Sequence, residues 1–377
     1  MEKRKVLRVS TIPMSLDLLL KGQLRMLNEN YEVVAVSSPG ADLEKVAKRE
    51  GVRTVELPME RRISLLKDAK SLWDMIQLIR REKPWMVHSL TPKAGLVSMI
   101  AARLCGVPVR VHTFTGLVFP TATGLKRKIL MFTDRLTCAC ATVVNAEGLG
   151  VKRDLEGYHI SNKPVVIIGN GNVNGIDLEH YARTEEVMEK AAAYRKEGVT
   201  TYCFVGRIVG DKGMNELVRA FDRLYQTNKA IRLLFVGTFE ELLDPVKPET
   251  KEMILNHPAM ECVGWQTDVR PFLAASDIFV FPSYREGFPN VVIQANALGI
   301  PSIVTDINGC NEIVIPGKNG VIIPSRDEEA IYQALCDTVN NPEKWSQMAA
   351  QSRSCIAERY EQKAFWKALK DFYKSQE

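Results

Sequence analysis

The sequence lacks any uninterrupted apolar run that approaches the roughly 20 residues needed to cross a bilayer. Its first residues, MEKRKVLRVSTI, are charged and then strand-like, with no apolar signal core and no small-residue cleavage site. These absences predict a cytoplasmic protein. The chain has 377 residues, of which 46% are hydrophobic, so it is long enough to bury the cores of two domains.

Residues that bind metals or form disulfides are also scarce or scattered. The eight cysteines show no Cys-x-x-Cys spacing and no neighbouring histidines, and only five histidines occur in the chain. This pattern argues against zinc and disulfide frameworks and predicts reduced, buried thiols.

Acidic and basic residues are unevenly distributed. Residues 1–170 contain 27 Lys and Arg against 16 Asp and Glu, a net charge of +11, whereas residues 171–377 contain 23 against 29, a net charge of −6. A basic half predicts contact with an anionic surface. The interleaved aromatic and basic residues of a single-strand binder are absent, so we expect no nucleic acid partner and favour an anionic membrane surface.

Short β-branched runs alternate with amphipathic stretches, a pattern that predicts an α/β protein built from βαβ units with parallel sheets. In the first half the predicted strands are Lys5–Ser10, Val33–Ser37, Val52–Leu57, Met86–His88, Val109–Thr113, Ala141–Val144 and Val165–Ile168. The predicted helices there are Leu18–Leu27, Ile63–Lys83, Ala94–Cys105, Leu125–Thr137 and Ala146–Leu155. In the second half the predicted strands are Thr201–Val205, Arg232–Val236, Met260–Val263, Ile278–Val280, Ser302–Val304 and Val321–Ile323.

The turn-rich segment Gly169–Asp177, GNGNVNGID, separates the two series and predicts a domain crossing. We therefore expect two Rossmann-like, doubly wound domains that face each other across a cleft. The last predicted helix, Gln362–Ser375, has a wide apolar stripe that should fold back onto the first domain. The predicted division is residues 1–174 with 360–377 for the first domain and 175–359 for the second.

Two segments of the second domain are candidates for anion binding. The stretch Pro282–Asp306 places a polar loop with Glu286 directly before an apolar helix, whose N-terminus presents backbone N–H groups and a positive dipole end. The stretch Phe204–Gly213, FVGRIVGDKG, brings Arg207 and Lys212 to another strand end. Two permanent cations at such a position suit a diphosphate, although a solvated loop with two surface charges remains an alternative for this stretch alone.

The FVGRIVGDKG stretch has neither the GxxxxGK[ST] order of a phosphate loop nor the GxGxxG order of a dinucleotide fingerprint. No Asp-x-Asp pair stands at a strand end to hold a metal, and fixed cations can neutralise a leaving diphosphate themselves. We therefore predict chemistry that needs neither a metal nor a cofactor.

GR-x(4)-KG followed by PS-x-x-EGFPNV closely resembles the second domain of the retaining glycosyltransferases of family 4, which have the GT-B fold. The resemblance covers nearly the whole chain. The segments HSLTPKAGL, RVHTFTGLVF, NGID, VGRIVGDKG, VGTFE and PSYREGFPNV are similar to the subgroup that builds capsule, O-antigen and glycoprotein-linked oligosaccharides on polyprenyl carriers.

The resemblance implies that Arg207 and Lys212 hold the donor diphosphate and that Glu286 bonds hydroxyls of the donor sugar. The family's second glutamate, which ordinarily holds the ribose, is Gln294 here, so a charge-assisted hydrogen bond is lost at that position. The remaining residues that the resemblance assigns to the donor site are Gly206, Gly287, Phe288, Pro289, Asn290 and Val291.

In the first domain, the family's HTFHG-like loop reads His112-Thr113-Phe114-Thr115-Gly116. Thr115 stands where many members have a catalytic histidine, so His112 is considered either as a catalytic residue that reaches the cleft or as a core histidine. Lys93 and Gly116 are candidates for acceptor contacts, with a plain surface lysine as the alternative for Lys93. Gly22, inside a predicted helix, suggests either close approach of a ligand or tight packing.

The resemblance implies a transferase that moves a hexose or N-acetylhexosamine from a UDP-sugar, with retention, to a polyprenyl-diphosphate-linked saccharide. Two basic and apolar segments, Arg61–Lys67 with the helix that follows it and Leu125–Phe132, could lie at an anionic membrane surface, although each could instead cover the sheet. We thus expect a peripheral protein at the inner face of the cell membrane. The alternatives are an impaired scaffold that binds sugar nucleotides and, less well supported by motifs, a nucleotide-sugar epimerase.

Overall fold

The computed structural model describes residues 3–60, 64–242 and 244–377. The chain forms two compact units, Met1–Gly175 together with Gln362–Glu377 (unit 1) and Ile176–Glu361 (unit 2). The boundaries predicted from the sequence lie one residue earlier at the first crossing and two residues earlier at the second.

Among the described residues, unit 1 is built on a seven-stranded parallel sheet with the order β3-β2-β1-β4-β5-β6-β7. The strands are β1 (Lys5–Val9), β2 (Glu32–Ser37), β3 (Arg53–Glu56), β4 (Met86–Leu90), β5 (Val109–Phe114), β6 (Val143–Ala146) and β7 (Val165–Val166). The helices are α1 (Pro13–Leu19), α2 (Gln23–Asn28), α3 (Ala41–Glu50), α4 (Leu65–Glu82), α5 (Pro92–Leu104), α6 (Gly124–Cys140), α7 (Leu149–Gly157) and α16 (Gln362–Ser375). A short 3-10 helix, Phe119–Thr121, lies between β5 and α6.

The predicted helix Leu18–Leu27 is wrong, because the chain turns at Gly22 between α1 and α2. Gly22 has φ +80°, and a Cβ at this position would stand 2.8 Å from a ring carbon of Trp366 in α16. Tight packing, rather than a ligand, therefore explains this glycine. The backbone N–H of Gly22 donates to the carboxylate of Glu50 at 2.9 Å, which satisfies one of the donors at the start of α2.

The C-terminal helix α16 belongs to unit 1, where the predicted apolar stripe is buried through Phe365, Leu369 and Tyr373. The Tyr373 hydroxyl accepts a hydrogen bond from the Arg8 guanidinium at 3.3 Å and lies 2.8 Å from Nδ1 of His88. Arg8 and His88 are neighbours on β1 and β4. A buried polar cluster thus attaches the end of the chain to its first strand.

Unit 2 has a six-stranded parallel sheet among its described residues, in the order β10-β9-β8-β11-β12-β13. The strands are β8 (Thr200–Val205), β9 (Ile231–Val236), β10 (Met260–Cys262), β11 (Ile278–Phe281), β12 (Ser302–Thr305) and β13 (Gly320–Ile323). The helices are α8 (Glu185–Ala192), α9 (Met214–Thr227), α10 (Pro248–Asn256), α11 (Arg270–Ala274), α12 (Asn290–Ala297), α13 (Cys310–Ile313), α14 (Glu328–Asn340) and α15 (Pro342–Tyr360). A 3-10 turn, Gly210–Lys212, precedes α9.

Both sheets reverse their winding direction at one point, between β1 and β4 in unit 1 and between β8 and β11 in unit 2. The loops that follow two such neighbouring strands separate to opposite faces of the sheet and leave a crevice at its carboxyl edge, where ligands of open α/β sheets bind. The two predicted motifs of unit 2 follow β8 and β11. The fold therefore brings them to the same crevice.

Candidate functional site

The candidate site is at the carboxyl edge of the unit 2 sheet, where the segment after β8 meets the loop after β11. A Cβ on Gly213, which has φ +71°, would stand 2.2 Å from the Pro282 carbonyl oxygen. Only glycine can provide both the left-handed backbone and this close approach. The backbone N–H of Tyr284 also donates to the Asp211 carbonyl at 2.8 Å, so the two motifs are joined through their main chains.

Lys212 and Glu286 form an ion pair at the centre of this site. Their side chains are 15% and 17% exposed, so the pair is largely shielded from water but not completely buried. The Lys212 ammonium also lies 5.4 Å from the centre of the Phe281 ring. Lysine carries three N–H donors, and the contact with Glu286 leaves others for a further anion.

Arg207 lies exposed just after β8. Among the residues that the structure describes, no hydrogen bond or ion pair of its side chain is found. Its guanidinium is therefore a permanent charge, in the segment that also carries Lys212, that can bind a phosphate without first breaking another contact.

Ser283, which the sequence analysis did not single out, contacts Glu286 directly. Its hydroxyl donates to Oε1 of Glu286 at 2.8 Å, and its side chain is fully buried. The signal in the sequence is the position of this serine, two residues after a buried strand and three before the glutamate.

A second group of contacts surrounds the loop after β11. Arg285 pairs with Asp211 at 3.2 Å, and the Tyr284 hydroxyl donates to the carboxylate of Glu216. Burial and the nearby Glu216 raise the pKa of Tyr284 above its usual range, so the hydroxyl stays protonated. The Arg326 guanidinium lies 4.7 Å from the centre of the Tyr284 ring. These contacts attach the loop after β11 to the segment after β8 and to α9.

Of the remaining predicted donor residues, Gly206 follows β8 with φ +150°, and the others lie in the loop before α12 or in the first two turns of that helix. Phe288 is buried with its ring edge toward Tyr360, at 5.4 Å between ring centres, so it anchors the loop rather than presenting its ring to solvent. Gly287 and Pro289 are also buried, whereas Asn290, Val291 and Gln294 are half-buried. Gln294 lies one turn after Asn290 on the same helix. It stands at the position that the resemblance assigns to the ribose, and its neutral amide forms weaker hydrogen bonds than the carboxylate of a glutamate would.

His112, predicted as a possible catalytic residue, lies inside unit 1. It is 1% exposed, its Nδ1 lies 2.9 Å from the Ser89 hydroxyl, and its ring packs edge-on against Phe114. A Cβ on Gly95 would stand 2.3 Å from the imidazole, so α5 lies directly against the ring. Burial lowers the pKa of His112 to about 3, which keeps the imidazole neutral. These contacts favour the core alternative over the catalytic one.

The two acceptor candidates follow neighbouring strands of unit 1. Lys93 begins α5, and its ammonium pairs with Asp68 of α4, so it is not a plain surface lysine. Its side chain is 9% exposed. Gly116 follows β5 with φ +109° and is half-buried. Lys93 would have to leave Asp68, or share its remaining donors, to contact an acceptor phosphate.

Within residues 3–60, 64–242 and 244–377, no group of three or more His, Cys, Asp or Glu side chains is arranged to hold a metal ion. None of the helices in the same ranges combines the length and the apolar character needed to cross a membrane.

Two family models match the chain, one in each unit. The description "Glycosyl transferase 4-like domain" matches residues 22–171, and "Glycosyl transferases group 1" matches residues 200–341. The chain belongs to this family of glycosyltransferases, and the two parallel-sheet units are those of the GT-B fold. It is therefore a transferase enzyme, as the motifs GR-x(4)-KG and PS-x-x-EGFPNV predict.

Two named relatives align with this chain over most of its length and of their own. The capsular polysaccharide biosynthesis glycosyltransferase CapM of Staphylococcus aureus is 29% identical over 99% of this chain and 97% of its own. An Escherichia coli UDP-Gal:alpha-D-GlcNAc-diphosphoundecaprenol alpha-1,3-galactosyltransferase is 28% identical over 88% of this chain and 87% of its own. The crystal structure of Anabaena HepE with UDP and glucose superposes with a TM-score of 0.82 over 99% of this chain and 100% of HepE, at 15% identity, which confirms the fold.

Proposed function

We propose that this glycosyltransferase moves a hexose or N-acetylhexosamine from a UDP-sugar to a saccharide linked to polyprenyl diphosphate, in the synthesis of a surface polysaccharide. The observation that carries the donor half is the cluster of Lys212, Glu286 and Ser283 at the winding reversal of the unit 2 sheet, with Arg207 in the same segment after β8 as Lys212. The acceptor half is supported by the Escherichia coli relative, whose name specifies a diphosphoundecaprenol-linked sugar.

In the proposed reaction the bond between the anomeric carbon and the diphosphate breaks, and negative charge develops on the leaving UDP. Arg207 and Lys212 stabilise that charge through preorganised N–H donors. Glu286 bonds the sugar hydroxyls. Its Oε1 is already occupied by Lys212 and Ser283, an arrangement that suits binding better than attack on carbon. The acceptor hydroxyl oxygen bonds to the anomeric carbon on the face that the diphosphate leaves, the departing phosphate oxygen takes the proton of that hydroxyl, and the anomeric configuration is retained.

We further propose that unit 1 contacts an anionic membrane, where a polyprenyl acceptor resides. The outer face of α6 carries Leu125, Lys128, Ile129 and Phe132 at helical spacing, and Leu125 and Phe132 are 72% and 64% exposed. The outer face of α4 exposes Leu65, Leu66 and Trp73 beside basic residues. Apolar side chains flanked by lysine suit the boundary between headgroups and acyl chains. Arg61–Ile63, the start of the predicted basic segment, lie outside the described residues.

The transfer reaction is tested with purified protein, a panel of UDP-, GDP- and ADP-sugars and a synthetic polyprenyl-diphosphate-linked N-acetylhexosamine. We expect a glycosylated lipid and free UDP from one UDP-sugar, with the product anomer matching the donor anomer by NMR. The Lys212→Met variant should form neither. Binding of a UDP-sugar with neither transfer nor hydrolysis would favour the scaffold alternative, and an epimerised donor would identify an epimerase.

Membrane contact is tested by sedimentation with vesicles that contain an anionic lipid, at low and high salt. The wild type should bind at low salt, while Phe132→Glu and Lys128→Glu should reduce binding. Lys318→Glu is the control, because it makes the same charge change as Lys128→Glu but in an exposed turn of unit 2. This variant should bind vesicles as the wild type does. Equal sedimentation of all four proteins, or none for the wild type, would refute this part of the proposal.

A further inference from the structure

The two carboxylate oxygens of Glu286 have different surroundings. Oε1 accepts hydrogen bonds from the Lys212 ammonium and from the Ser283 hydroxyl. In the part of the chain that the structure describes, no hydrogen bond to Oε2 is found. One oxygen is therefore held by the protein, and the other remains for a ligand.

Ser283 is placed to hold this carboxylate rigidly. Its side chain is completely buried, and its own carbonyl accepts a hydrogen bond from the Thr305 hydroxyl at the end of β12. The preceding carbonyl, that of Pro282, lies against Gly213. The position of the serine is thus determined by backbone contacts on two sides and does not depend on Glu286.

The serine hydroxyl has one hydrogen and three acceptors within reach. The carbonyls of Asp211 and Arg285 lie 3.3 Å and 3.2 Å away, and Oε1 of Glu286 lies 2.8 Å away. The carboxylate oxygen is both the nearest acceptor and the only charged one. Because charge-assisted hydrogen bonds are the shorter and stronger kind, the hydrogen points at Glu286.

Lys212 alone cannot keep Glu286 in place once a donor binds. A diphosphate attracts the same ammonium, and the lysine side chain is long and flexible, so the Lys212–Glu286 contact weakens or is shared when phosphates arrive. Ser283 is neutral and buried, so the diphosphate does not attract its side chain away from Glu286 as it attracts the ammonium. Its hydrogen bond is the contact to Oε1 that persists in the loaded site.

We propose that Ser283 is a positioning residue that fixes Glu286 so that Oε2 points at the hydroxyls of the donor sugar. This inference rests on the proposed function and adds a separate claim about specificity. Ser283 should contribute to recognition of the sugar and leave recognition of the nucleotide unchanged, since Arg207 and Lys212 hold the diphosphate.

The test compares the dissociation constants of UDP and of the UDP-sugar that the wild type transfers, by calorimetry, in the wild type and in Ser283→Ala. A lost hydrogen bond to a charged group should weaken UDP-sugar binding by about 10- to 100-fold, with UDP binding changed less than about twofold. The matched control is Ser276→Ala. Ser276 lies just before β11 and is also buried in unit 2, and its hydroxyl donates to the Phe272 carbonyl at 2.7 Å. The control therefore removes a comparable buried hydroxyl.

Two further variants separate positioning from a general loss of structure. Ser283→Cys keeps the size of the side chain and donates weakly, so its UDP-sugar affinity should fall between those of the wild type and Ser283→Ala. If Ser283 acts through Glu286, the double variant Ser283→Ala/Glu286→Ala should bind UDP-sugar no more weakly than Glu286→Ala alone.

The outcomes distinguish this inference from the proposed function. A wild type that binds no nucleotide sugar would refute both. Suppose instead that the wild type binds and transfers the sugar, and that the ratio of UDP affinity to UDP-sugar affinity is the same in Ser283→Ala as in the wild type. This result would refute the positioning role only. Equal loss of UDP and UDP-sugar binding would also refute it, because the serine would then support the whole loop and not the sugar contact.

Discussion

Replacing Gly213 with alanine tests whether the contact between the two donor motifs supports both stability and nucleotide binding. The new methyl group would enter the space of the Pro282 carbonyl oxygen, 2.2 Å away. That oxygen would have to move by about 1 Å to restore an ordinary contact distance. Because Ser283 follows Pro282 directly, the movement would pass to the residue that holds Glu286.

The expected cost has two parts. Alanine in a left-handed conformation, here at φ +71°, costs about 1–2 kcal/mol relative to glycine. The forced movement of a packed backbone carbonyl adds about 1–3 kcal/mol, as other overpacking changes do. For a unit of this size, each kcal/mol lowers Tm by about 2–4 °C. The combined change should therefore lower Tm by about 4–20 °C, the product of these ranges.

Gly317→Ala provides the matched control. Gly317 has φ +78°, and a Cβ at this position would meet nothing within 4 Å, so the variant carries the conformational cost without the collision. Thermal unfolding of both variants, followed by calorimetric titration with UDP, separates the two contributions. Gly213→Ala should show the larger fall in Tm and a clear loss of UDP affinity, while Gly317→Ala should bind UDP normally. Equal Tm values and equal UDP affinities in the two variants would refute the close contact.

Three other predictions concern charge. Arg207→Ala should lower turnover by about 100-fold or more, because one preorganised donor to the leaving group is lost. Its Tm should stay unchanged, because the side chain is exposed. Near-native turnover would contradict the role assigned to Arg207. Hydrogen bonds from Arg53 and, to a smaller extent, from Lys5 lower the pKa of Glu82 from its ordinary value of 4.5 to about 2. The contribution of ionised Glu82 to the stability of the fold is therefore present above pH 4.5 and is lost as the pH falls toward 2. The Tm of Glu82→Gln should therefore fall less steeply than that of the wild type between pH 5 and pH 2.5, and parallel curves would contradict this. Transfer activity should survive a chelator, and loss that manganese restores would show that the predicted metal independence is wrong.

Most of the fold could be predicted because buried parallel strands leave a strong pattern. All thirteen strands found in the described part of the chain lie within or overlap the predicted ranges. The errors occur where tertiary contacts override local preference. The run Leu18–Leu27 is apolar enough for one helix, but the backbone is left-handed at Gly22, which interrupts a helix, and Trp366 packs against this turn. The helix α3, Ala41–Glu50, was not predicted.

The motifs predicted Arg207, Lys212 and Glu286 as residues of the candidate site, but they predicted neither Ser283 nor the pairing of Lys212 with Glu286. Sequence alone does not show that Lys212 bonds Glu286. The pairing depends on the order of β8 and β11 in the sheet, which places residues 74 positions apart in contact. For His112 the residue type left two roles open, and the packing of Gly95 against its ring favours the structural one.

The assignment of α16 to unit 1 has a consequence for how the chain is synthesised. Unit 2 is continuous, from Ile176 to Glu361, and all of its residues leave the ribosome before the last helix does. Unit 1 needs Tyr373 to complete the buried contacts of Arg8, a residue made 365 positions earlier. Because domains generally fold as units during translation, unit 1 is completed only after α16 has been made, and unit 2 can be finished first. Truncation before Gln362 would therefore damage the unit whose first strands were made first.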